Sequence, residues 1–569
     1  MKVVILLLLS LILCIKAVDA QSQYDVVIDE IMADPTPLVG LPNNEWLELK
    51  NTTSVAINLQ NWRIGDVTGQ SGPMPNFILQ PDSFVIVCTG SAVAAMSAFG
   101  TTISVTSFPS LDNDGDLLFL KAANGKTIHA VNYSSAWYQN EVKKDGGWTL
   151  EMIDTKSPCA GSSNWKASID VKGGTPGKKN SIDAINNDQT APQLKKAFTT
   201  DNTTIILEFS EPIDSLKGAT IGNYSIDGGI SIINAVAISP LFNQVQLKTN
   251  NPLSANTIYT ITATSITDCK NNVIGSANKA RVGLPVDAAA GDWIINEILF
   301  NPKPNGFDYI EFYNNSNKIF DAAKLYIANR NSSGVIGSIK ALSATSSYIF
   351  PGDHIVVTED ADNLALNYLV KNPDNVQVIS SMPSFSDDEG DVIALNFQGN
   401  VVDEVKYKDD WHFKLIDNAE GVSLERIDPA GPSQDASNWH SAASTSGYGT
   451  PTYKNSQYKL QQSINATIEV SPKVFSPDND GRDDIASIQY QVSDPGYVAN
   501  ITIFDGTGRP VRNLVRNGTL GLKGYWNWDG LDDKGLKLPV GPYIIYTEIF
   551  NLQGKKNTFK NTIVLARNL

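Results

Sequence analysis

The side chains with the clearest chemical potential in this chain are clustered carboxylates. Two runs stand out, Asp112-Asn113-Asp114-Gly115-Asp116 and Asp478-Asn479-Asp480-Gly481-Arg482-Asp483-Asp484. Each places oxygen ligands around a glycine turn, and Ca²⁺ takes about six to eight oxygens. Neither run ends in the glutamate of a complete calcium loop, and an Asp/Asn turn that bonds its own backbone also explains both. If calcium binds, we expect Asp478, Asp480 and Asp484 to hold it; no other cofactor is expected.

Three glutamates could do acid-base chemistry because each occurs twice, at matching places in the chain: Glu30 and Glu297, Glu48 and Glu311, Glu151 and Glu425. Paired carboxylates carry out glycoside hydrolysis in many enzymes. Their duplication on strand-like segments favours structural hydrogen bonding instead. We therefore predict no catalytic residues among them.

Other catalytic signatures are missing from the sequence. It contains no His-Glu-x-x-His, no Gly-x-Ser-x-Gly and no phosphate-binding Gly-x-x-x-x-Gly-Lys-Ser/Thr. The histidines are four and lie far apart, at His129, His354, His412 and His440. We expect them to be ordinary core or surface residues rather than ligands or bases.

These glutamates belong to a long internal repeat. The first copy contains Glu45-Trp46-Leu47-Glu48-Leu49, Leu150-Glu151-Met152-Ile153-Asp154, Asn164-Trp165 and Gly174-Thr175-Pro176; the second contains Asp308-Tyr309-Ile310-Glu311-Phe312, Leu424-Glu425-Arg426-Ile427-Asp428, Asn438-Trp439 and Gly449-Thr450-Pro451. The offset between matching residues is 267 at Glu30/Glu297, 263 at Glu48/Glu311 and 275 at Thr175/Thr450, so it changes little along the repeat. This pattern indicates a duplicated domain with loop-length changes.

The elements that position these residues are predicted to be β-strands. Short apolar or alternating runs recur throughout and are bounded by Gly, Pro, Asn or Asp, as in antiparallel sandwiches. Alternation puts Trp46 and Glu48 on one strand face and Leu47 and Leu49 on the other. Helical periodicity is found mainly at residues 92–99 and 362–370. We predict an all-β chain.

The two copies, over residues 22–182 and 291–457, resemble the lamin tail domain of secreted bacterial proteins. The resemblance rests on the Glu-Trp/Tyr-x-Glu strand, the Leu-Glu-x-Ile-Asp segment, the Asn-Trp pair and the closing Gly-Thr-Pro. That family has an immunoglobulin-like β-sandwich fold. Between the copies, Leu207-Glu208-Phe209-Ser210-Glu211-Pro212-Ile213 resembles bacterial Ig-like modules of surface-layer type.

The C-terminal segment is similar to the Ig-like domain of flagellar hook-capping proteins and to the gliding-motility-associated C-terminal domain. The similarity rests on Phe475-Ser476-Pro477-Asp478, Trp528-Asp529-Gly530 and Pro539-x-Gly541-x-Tyr543. Together the resemblances imply a string of four immunoglobulin-like β-sandwich domains. We place their boundaries at 21–185, 186–288, 289–460 and 461–569.

The first twenty residues are predicted to form a secretory signal peptide cleaved after Ala20. Lys2 precedes an apolar run over 3–15 that is too short to span a bilayer, and a small-residue exit follows. A lipoprotein anchored at Cys14 is disfavoured because bulky Leu13 precedes it. No other apolar stretch reaches membrane length, so we expect a secreted or cell-surface location without a transmembrane helix.

The net charge of −16 disfavours nucleic-acid partners. Three cysteines remain after signal removal: Cys88, Cys159 and Cys269. Cys88 and Cys159 lie in the first copy, and their counterparts, Val357 and approximately Ser433, are both changed in the second. Joint absence is the pattern that a disulfide between Cys88 and Cys159 produces, with Cys269 left free; independent drift also produces it.

We therefore expect a non-enzymatic, exported surface protein that acts in adhesion or scaffolding. Its expected partners are an unidentified surface polymer or protein and, through the C-terminal segment, an outer-surface secretion machinery. The first alternative is a carbohydrate- or polymer-binding accessory protein that uses exposed aromatics among Trp137, Trp148 and Trp411. The second is an unrecognised secreted hydrolase.

Overall fold

The structure, a computed structural model, describes residues 21–416, 418–458, 466–552 and 556–567. Most elements in these ranges are β-strands and the helices are short, which confirms the all-β prediction. The predicted signal peptide lies outside the described residues, as do residues 459–465 around the predicted boundary at 460/461. The described part contains no helix that is both long and apolar enough to cross a membrane.

The first repeat copy has eleven strands in its described residues. They are β1 (Val26–Met32), β2 (Trp46–Asn51), β3 (Ile57–Asn58), β4 (Arg63–Gly65), β5 (Ile78–Leu79), β6 (Phe84–Cys88), β7 (Thr102–Ser104), β8 (Gly115–Lys121), β9 (Thr127–Ser134), β10 (Leu150–Met152) and β11 (Trp165–Ala167). Helix α1 (Val93–Met96) lies within the predicted region 92–99.

The Ig-like segment that follows has two sheets, in the orders β12-β13-β16-β15 and β14-β17-β18. Its elements are β12 (Leu194–Asp201), β13 (Thr204–Phe209), α2 (Ser215–Gly218), β14 (Tyr224–Ile226), β15 (Ile232–Ile238), β16 (Gln244–Thr249), β17 (Tyr259–Ala263) and β18 (Lys279–Val282). With the first copy it forms the first of two compact units of the chain.

The second copy repeats the strand plan of the first. Its elements are β19 (Trp293–Leu299), β20 (Tyr309–Asn314), β21 (Phe320–Asp321), β22 (Leu325–Arg330), β23 (Ile336–Ala341), β24 (Tyr348–Ile349), β25 (His354–Thr358), α3 (Ala361–Asn367), β26 (Val376–Val378), β27 (Glu389–Asn396), β28 (Val401–Lys408), β29 (Leu424–Arg426) and β30 (Trp439–Ser441). Its one added strand, β23, extends the second sheet.

The C-terminal segment belongs to the second compact unit and packs two sheets, β31-β33-β36 and β32-β38-β37-β34-β35. Its strands are β31 (Thr467–Ser471), β32 (Val474–Phe475), β33 (Ala486–Gln491), β34 (Tyr497–Asp505), β35 (Pro510–Thr519), β36 (Lys523–Trp528), β37 (Gly541–Asn551) and β38 (Lys556–Leu565). Trp528 and Tyr543 meet edge to face in its core, 5.3 Å between ring centres.

The duplication extends to sheet topology. The main sheet runs β11-β10-β1-β2-β6-β7 in the first copy and β30-β29-β19-β20-β25-β26 in the second, and each ends in a parallel pair. Leu47 and Leu49 face the core between the two sheets, whereas Trp46 packs with α1 on the opposite face, as the alternation predicted. No described sheet takes strands from two of the four predicted segments. The exact domain boundaries remain predictions.

The predicted disulfide between Cys88 and Cys159 is wrong. Cys159 is bonded to Cys269, with Cα atoms 5.9 Å apart, so the bridge ties the first copy to the Ig-like segment inside the first compact unit. Cys88 cannot reach either partner, because it ends β6 in an apolar cluster with Trp46 and Met96. The absence of both cysteines from the second copy therefore does not indicate that they are paired in the first.

We expect peptide mapping of the non-reduced mature protein to find a fragment that joins Cys159 to Cys269. Burial raises the pKa of the Cys88 thiol to about 11, and its side chain is fully buried, so it should resist alkylation until the protein unfolds. The bridge closes a separation of 110 residues. On the chain-entropy model its reduction should cost about 5 kcal/mol of unfolding free energy. A fragment that joins Cys88 to Cys159 would contradict this assignment.

Candidate functional site

The repeated glutamates form a row across the main sheet of each copy. In the first copy Glu30 on β1 is paired with Glu151 on β10 and with Glu48 on β2. In the second copy Glu297 is paired with Glu425 and Glu311 in the same way. All six side chains are fully buried. We call each row a glutamate ladder.

A segment at the end of each copy covers its ladder. We call residues 173–182 and 448–457 the closing segments. In the first copy Glu30 accepts the Thr175 amide at 2.7 Å, and Glu151 accepts the Ser181 hydroxyl at 2.7 Å. In the second copy Glu297 accepts the Thr450 amide at 2.8 Å.

The match between the two closing segments continues along their length. The third glutamate of each ladder accepts a backbone amide, Glu48 from Gly177 and Glu311 from Thr452. At the far end, Glu151 accepts the Ile182 amide and Glu425 accepts the Gln457 amide. Each ladder is thus bonded by residues at equivalent positions, as structural hydrogen bonding by the repeated glutamates would require.

A β-bulge sets the position of the central glutamate. The pairing of β1 with β2 shifts between Ile28 and Glu30, and that of β19 with β20 shifts between Ile295 and Glu297. An extra residue in one strand turns the neighbouring side chains relative to the regular alternation. The bulged residue is Asp29 in the first copy.

Asn296, which corresponds to Asp29 in the second copy, acts as a hydrogen-bond donor at the bulge position. The Asn296 amide donates to Glu311 at 2.8 Å and to Asn455 at 2.7 Å. In the first copy one oxygen of Asp29 and one of Glu48 are buried without a hydrogen-bond partner. An ionised Asp29 has no proton to donate, whereas a protonated Asp29 can donate one, as Asn296 does. The first ladder therefore favours a neutral Asp29.

Burial dominates the charge state of these groups. It raises the pKa of Asp29 to about 7, with further contributions from Glu151 and other acidic neighbours. It also raises the pKa of Glu297 to about 7, helped by the negative charge of Glu311. The pKa values of Glu30, Glu48 and Glu425 are raised for the same reasons. A raised acid pKa in a solvent-exposed cleft would suggest catalysis, but here each carboxyl is covered by backbone.

The amide freed by the bulge is satisfied differently in the two copies. Nδ1 of buried His129 accepts the Ile28 amide at 2.9 Å, and burial lowers the pKa of His129 to about 4. In the second copy Asp403 accepts the Ile295 amide at 2.8 Å and is paired with buried Arg426 at 2.9 Å. His129 is therefore a core acceptor, as expected of an ordinary histidine.

Two carboxylate clusters in the described residues have the geometry to hold a cation. One is the predicted set Asp478, Asp480 and Asp484, whose oxygens lie within 4.8 Å of one another. Asp484 accepts the amides of Asn479 and Gly481 at 2.6 and 2.8 Å, as in a self-bonded turn. The 112–116 run forms no such cluster in the described structure.

The other cluster, Asp188, Glu211 and Asp268, was missed because its members are far apart in sequence. Asp268 lies next to the bridged Cys269 and accepts hydrogen bonds from the backbone amides of Lys270 and Asn272 and from the Asn272 side chain. One oxygen each of Asp188 and Glu211 is buried without a partner. Burial, with the charges of Asp268 and Asp188, raises the pKa of Glu211 to about 7.

The tryptophans considered for polymer binding do not form an exposed row. Trp137 and Trp148 pack against the core of the first copy, and Trp411 packs against the core of the second. Trp137 and Trp411 each lie 6.4 Å from a buried tryptophan, Trp165 and Trp439 respectively. The expectation of exposed binding aromatics at these positions is wrong, because the rings extend each core.

Two regions of the chain, residues 19–135 and 287–409, match the Lamin Tail Domain family model, and residues 183–281 match the Bacterial Ig-like domain model. Each repeat copy therefore contains a region similar to the lamin tail domain. These families have immunoglobulin-like β-sandwich folds, which confirms the predicted fold class. In the two copies the matched lamin tail regions end before Glu151 and Glu425, respectively, and before the closing segments. No curated relative matches the chain.

Among solved structures, a DUF4876 family protein from Bacteroides thetaiotaomicron is 13% identical, covering 37% of this chain and 85% of that one, with a TM-score of 0.18. The N-terminal part of the bacterial S-layer protein SbsC is 14% identical over 29% of this chain and 40% of its own, with a TM-score of 0.16. The alignment thus spans less than half of that structure.

A third solved structure is PorZ, a surface component of the type-IX secretion system of Porphyromonas gingivalis. It is 9% identical, covering 93% of this chain and 86% of its own, with a TM-score of 0.16. At such low TM-scores, none of these three likenesses supports a statement about function.

The charge state of Asp29 can be tested by exchanging the residues at the bulge position, Asp29 in the first copy and Asn296 in the second. A folded-state pKa above the unfolded value means that Asp29 contributes a penalty that grows as pH rises from about 4 to about 7. Asp29→Asn should remove this penalty and raise the unfolding free energy above pH 7 by on the order of 3 kcal/mol, with little effect near pH 4.

Asn296→Asp should do the reverse in the second copy and lower its stability above pH 7. Calorimetry of the full chain across this pH range measures both variants, with exposed Glu420→Gln as the control. A lower unfolding free energy of Asp29→Asn at pH 8 would contradict this account, because it would mean that the ionised Asp29 carboxylate stabilises the fold.

The clusters also predict a response to calcium. A cation that joins Asp188, Glu211 and Asp268 would offset the charge that raises the Glu211 pKa, so its binding should weaken as pH falls below about 7. At a tenfold excess over the dissociation constant, Ca²⁺ should add about 1.4 kcal/mol of stability. Glu211→Gln should abolish the stabilisation by Ca²⁺ that comes from this cluster. Asp480→Asn should abolish the weaker stabilisation that comes from the 478–484 loop. An unchanged calorimetric profile at millimolar Ca²⁺ would count against both sites.

Proposed function

We propose that this protein is a non-enzymatic, exported protein of the cell surface that acts in adhesion or scaffolding. The observation that carries the proposal is the state of the repeated carboxylates. They are the groups most suited to acid-base chemistry in the chain, and both sets are sealed beneath backbone and bonded to it. A substrate could reach them only if the closing segments unfolded.

The hydrolase alternative loses its candidate residues for this reason. Raised pKa values in the ladders come from burial within the sandwich, not from a cleft that gathers a nucleophile and a base. What the two copies offer to a partner is their rigid outer surface. A duplicated sandwich with a sealed interior suits a spacer or binding module.

We further propose that residues 466–567 retain the protein at the surface, through an outer-surface secretion machinery. Support comes from the resemblance of this segment to terminal domains of exported surface proteins and from the predicted signal peptide. A further Ig-like spacer is the alternative role for the segment. The two roles differ in what happens to a chain that lacks it.

A chain that ends at Tyr458 should therefore be exported but released into the medium. Fractionation of native cells into periplasm, surface and medium measures this, with the full-length chain alongside. Removal of the segment also exposes residues that pack on it, so resistance of the released chain to protease provides the folding control. Equal surface retention of a folded, shortened chain would show that the segment does not anchor the protein.

A further inference from the structure

A large groove on the second compact unit lies where the closing segment of the second copy meets the sheet β31-β33-β36. Its volume is about 1050 Å³. Several bonds fix its two walls together. Leu522 donates its amide to the Ser456 carbonyl at 3.0 Å, and Ser444 donates its hydroxyl to the Thr519 carbonyl at 2.9 Å. The hydroxyls of Thr445 and Tyr490 are 2.7 Å apart. The groove is therefore preformed.

The groove is basic in a chain that is strongly acidic. Lys371, Lys454 and Lys523 line it, and no aspartate or glutamate does, although the net charge of the chain is −16. The Lys371 ammonium lies 3.8 Å from the centre of the Tyr453 ring, and the Lys454 ammonium lies 3.4 Å from that of Tyr458. These aromatic contacts orient two cations without neutralising them. The groove thus offers positive charge to an anion.

Its other side chains suit a hydroxyl-rich ring. Gln489 pairs with Tyr525 and Gln491 with Lys523 across β33 and β36, so these four side chains share the outward face of the sheet. The Tyr525 side chain is 60% exposed and offers a flat apolar surface. Amides and hydroxyls nearby, from Gln489, Gln491 and Thr445, can both donate and accept hydrogen bonds, as sugar hydroxyls do.

We propose that this groove binds an acidic polysaccharide whose sugars carry carboxylates. The lysines pair with the carboxylates, Tyr525 stacks on a sugar ring, and the amides bond the hydroxyls. Long polyphosphates are disfavoured because their higher charge density meets repulsion from the acidic remainder of the chain. Burial and the charge of Lys523 lower the pKa of Lys454, and a bound carboxylate would relieve this.

The inference deepens the proposed function by giving the adhesive role a ligand class. The groove also depends on the second glutamate ladder. Its residue Tyr453 follows Thr452, whose backbone amide donates to Glu311. Binding is measured on the purified full chain, whereas surface retention is measured on cells. Failure of one test therefore does not imply failure of the other.

The experiment is calorimetric titration of the full chain with a galacturonate oligosaccharide and with a neutral galactose oligosaccharide. We expect the galacturonate to bind, with an affinity that falls as salt rises, and the galactose to bind at least about tenfold more weakly. The double change Lys454→Gln and Lys523→Gln should weaken galacturonate binding by about tenfold or more, and Tyr525→Ala by about tenfold.

The matched control is Lys560→Gln, which removes an exposed lysine from the other sheet of the same sandwich, 6.0 Å from the centre of the Tyr546 ring. It should leave binding unchanged. The proposal is overturned if galacturonate does not bind, if galactose binds equally well, or if the lysine and tyrosine variants bind as the parent does. Tighter binding of a single-stranded oligodeoxynucleotide or an acidic peptide at the groove would also overturn it.

Discussion

Three buried carboxylates on adjacent strands impose the constraint on which each repeat copy depends. Carboxylates out of water need donors or protons, and an unpaired buried charge costs several kcal/mol. The backbone amides of the sheet cannot supply the donors, because they are used in strand pairing. The closing segment supplies them instead, with backbone amides at Thr175, Gly177 and Ile182 in the first copy. Each sandwich is therefore complete only when its last residues are in place.

This constraint explains features that would otherwise look unrelated. The bulges at Asp29 and Asn296 set the central glutamate in line with its neighbours, and each creates an amide that a partner must satisfy. At equivalent positions of the two copies, His129 accepts this amide with a ring nitrogen and Asp403 accepts it with a carboxylate oxygen. The ladder stays the same in both copies while its surroundings change. The two copies thus share a bonding pattern although individual neighbours differ.

The second closing segment also links the interior of its sandwich to the surface of the unit. Thr452 bonds the ladder, and the following residues Tyr453 and Lys454 line the groove. A side chain that binds a ligand must be held in place by its neighbours. Here the neighbours are residues committed to a buried carboxylate network. The same segment can therefore stabilise the fold and position a binding surface.

Repetition made much of this fold predictable from sequence. Strand alternation placed Glu48 and Leu49 on opposite faces correctly, and the recurrence of the glutamates identified their structural role. One error arose where the two copies differ. The loss of Cys88 and Cys159 from the second copy suggested a pair, but the bridge joins Cys159 to a residue outside the repeat.

Other features could not be predicted because they depend on contacts between distant segments. The Asp188, Glu211 and Asp268 cluster and the basic groove both gather residues from separate elements, and no local spacing reports them. Trp137 and Trp411 each come shortly after a strand, a position from which the ring can either face solvent or pack against the core. Only the packing of the neighbouring Trp165 and Trp439 decides between the two.

Native-state hydrogen exchange at the closing segments tests the central claim most directly. If the ladders hold the sandwiches together, the amides of Thr175, Gly177, Thr450 and Thr452 should exchange as slowly as those of the central strands β1 and β19, through opening of the whole domain. Exchange at the rate of exposed loops, with the central strands still protected, would contradict the account, because the sandwiches would then persist without their closing segments.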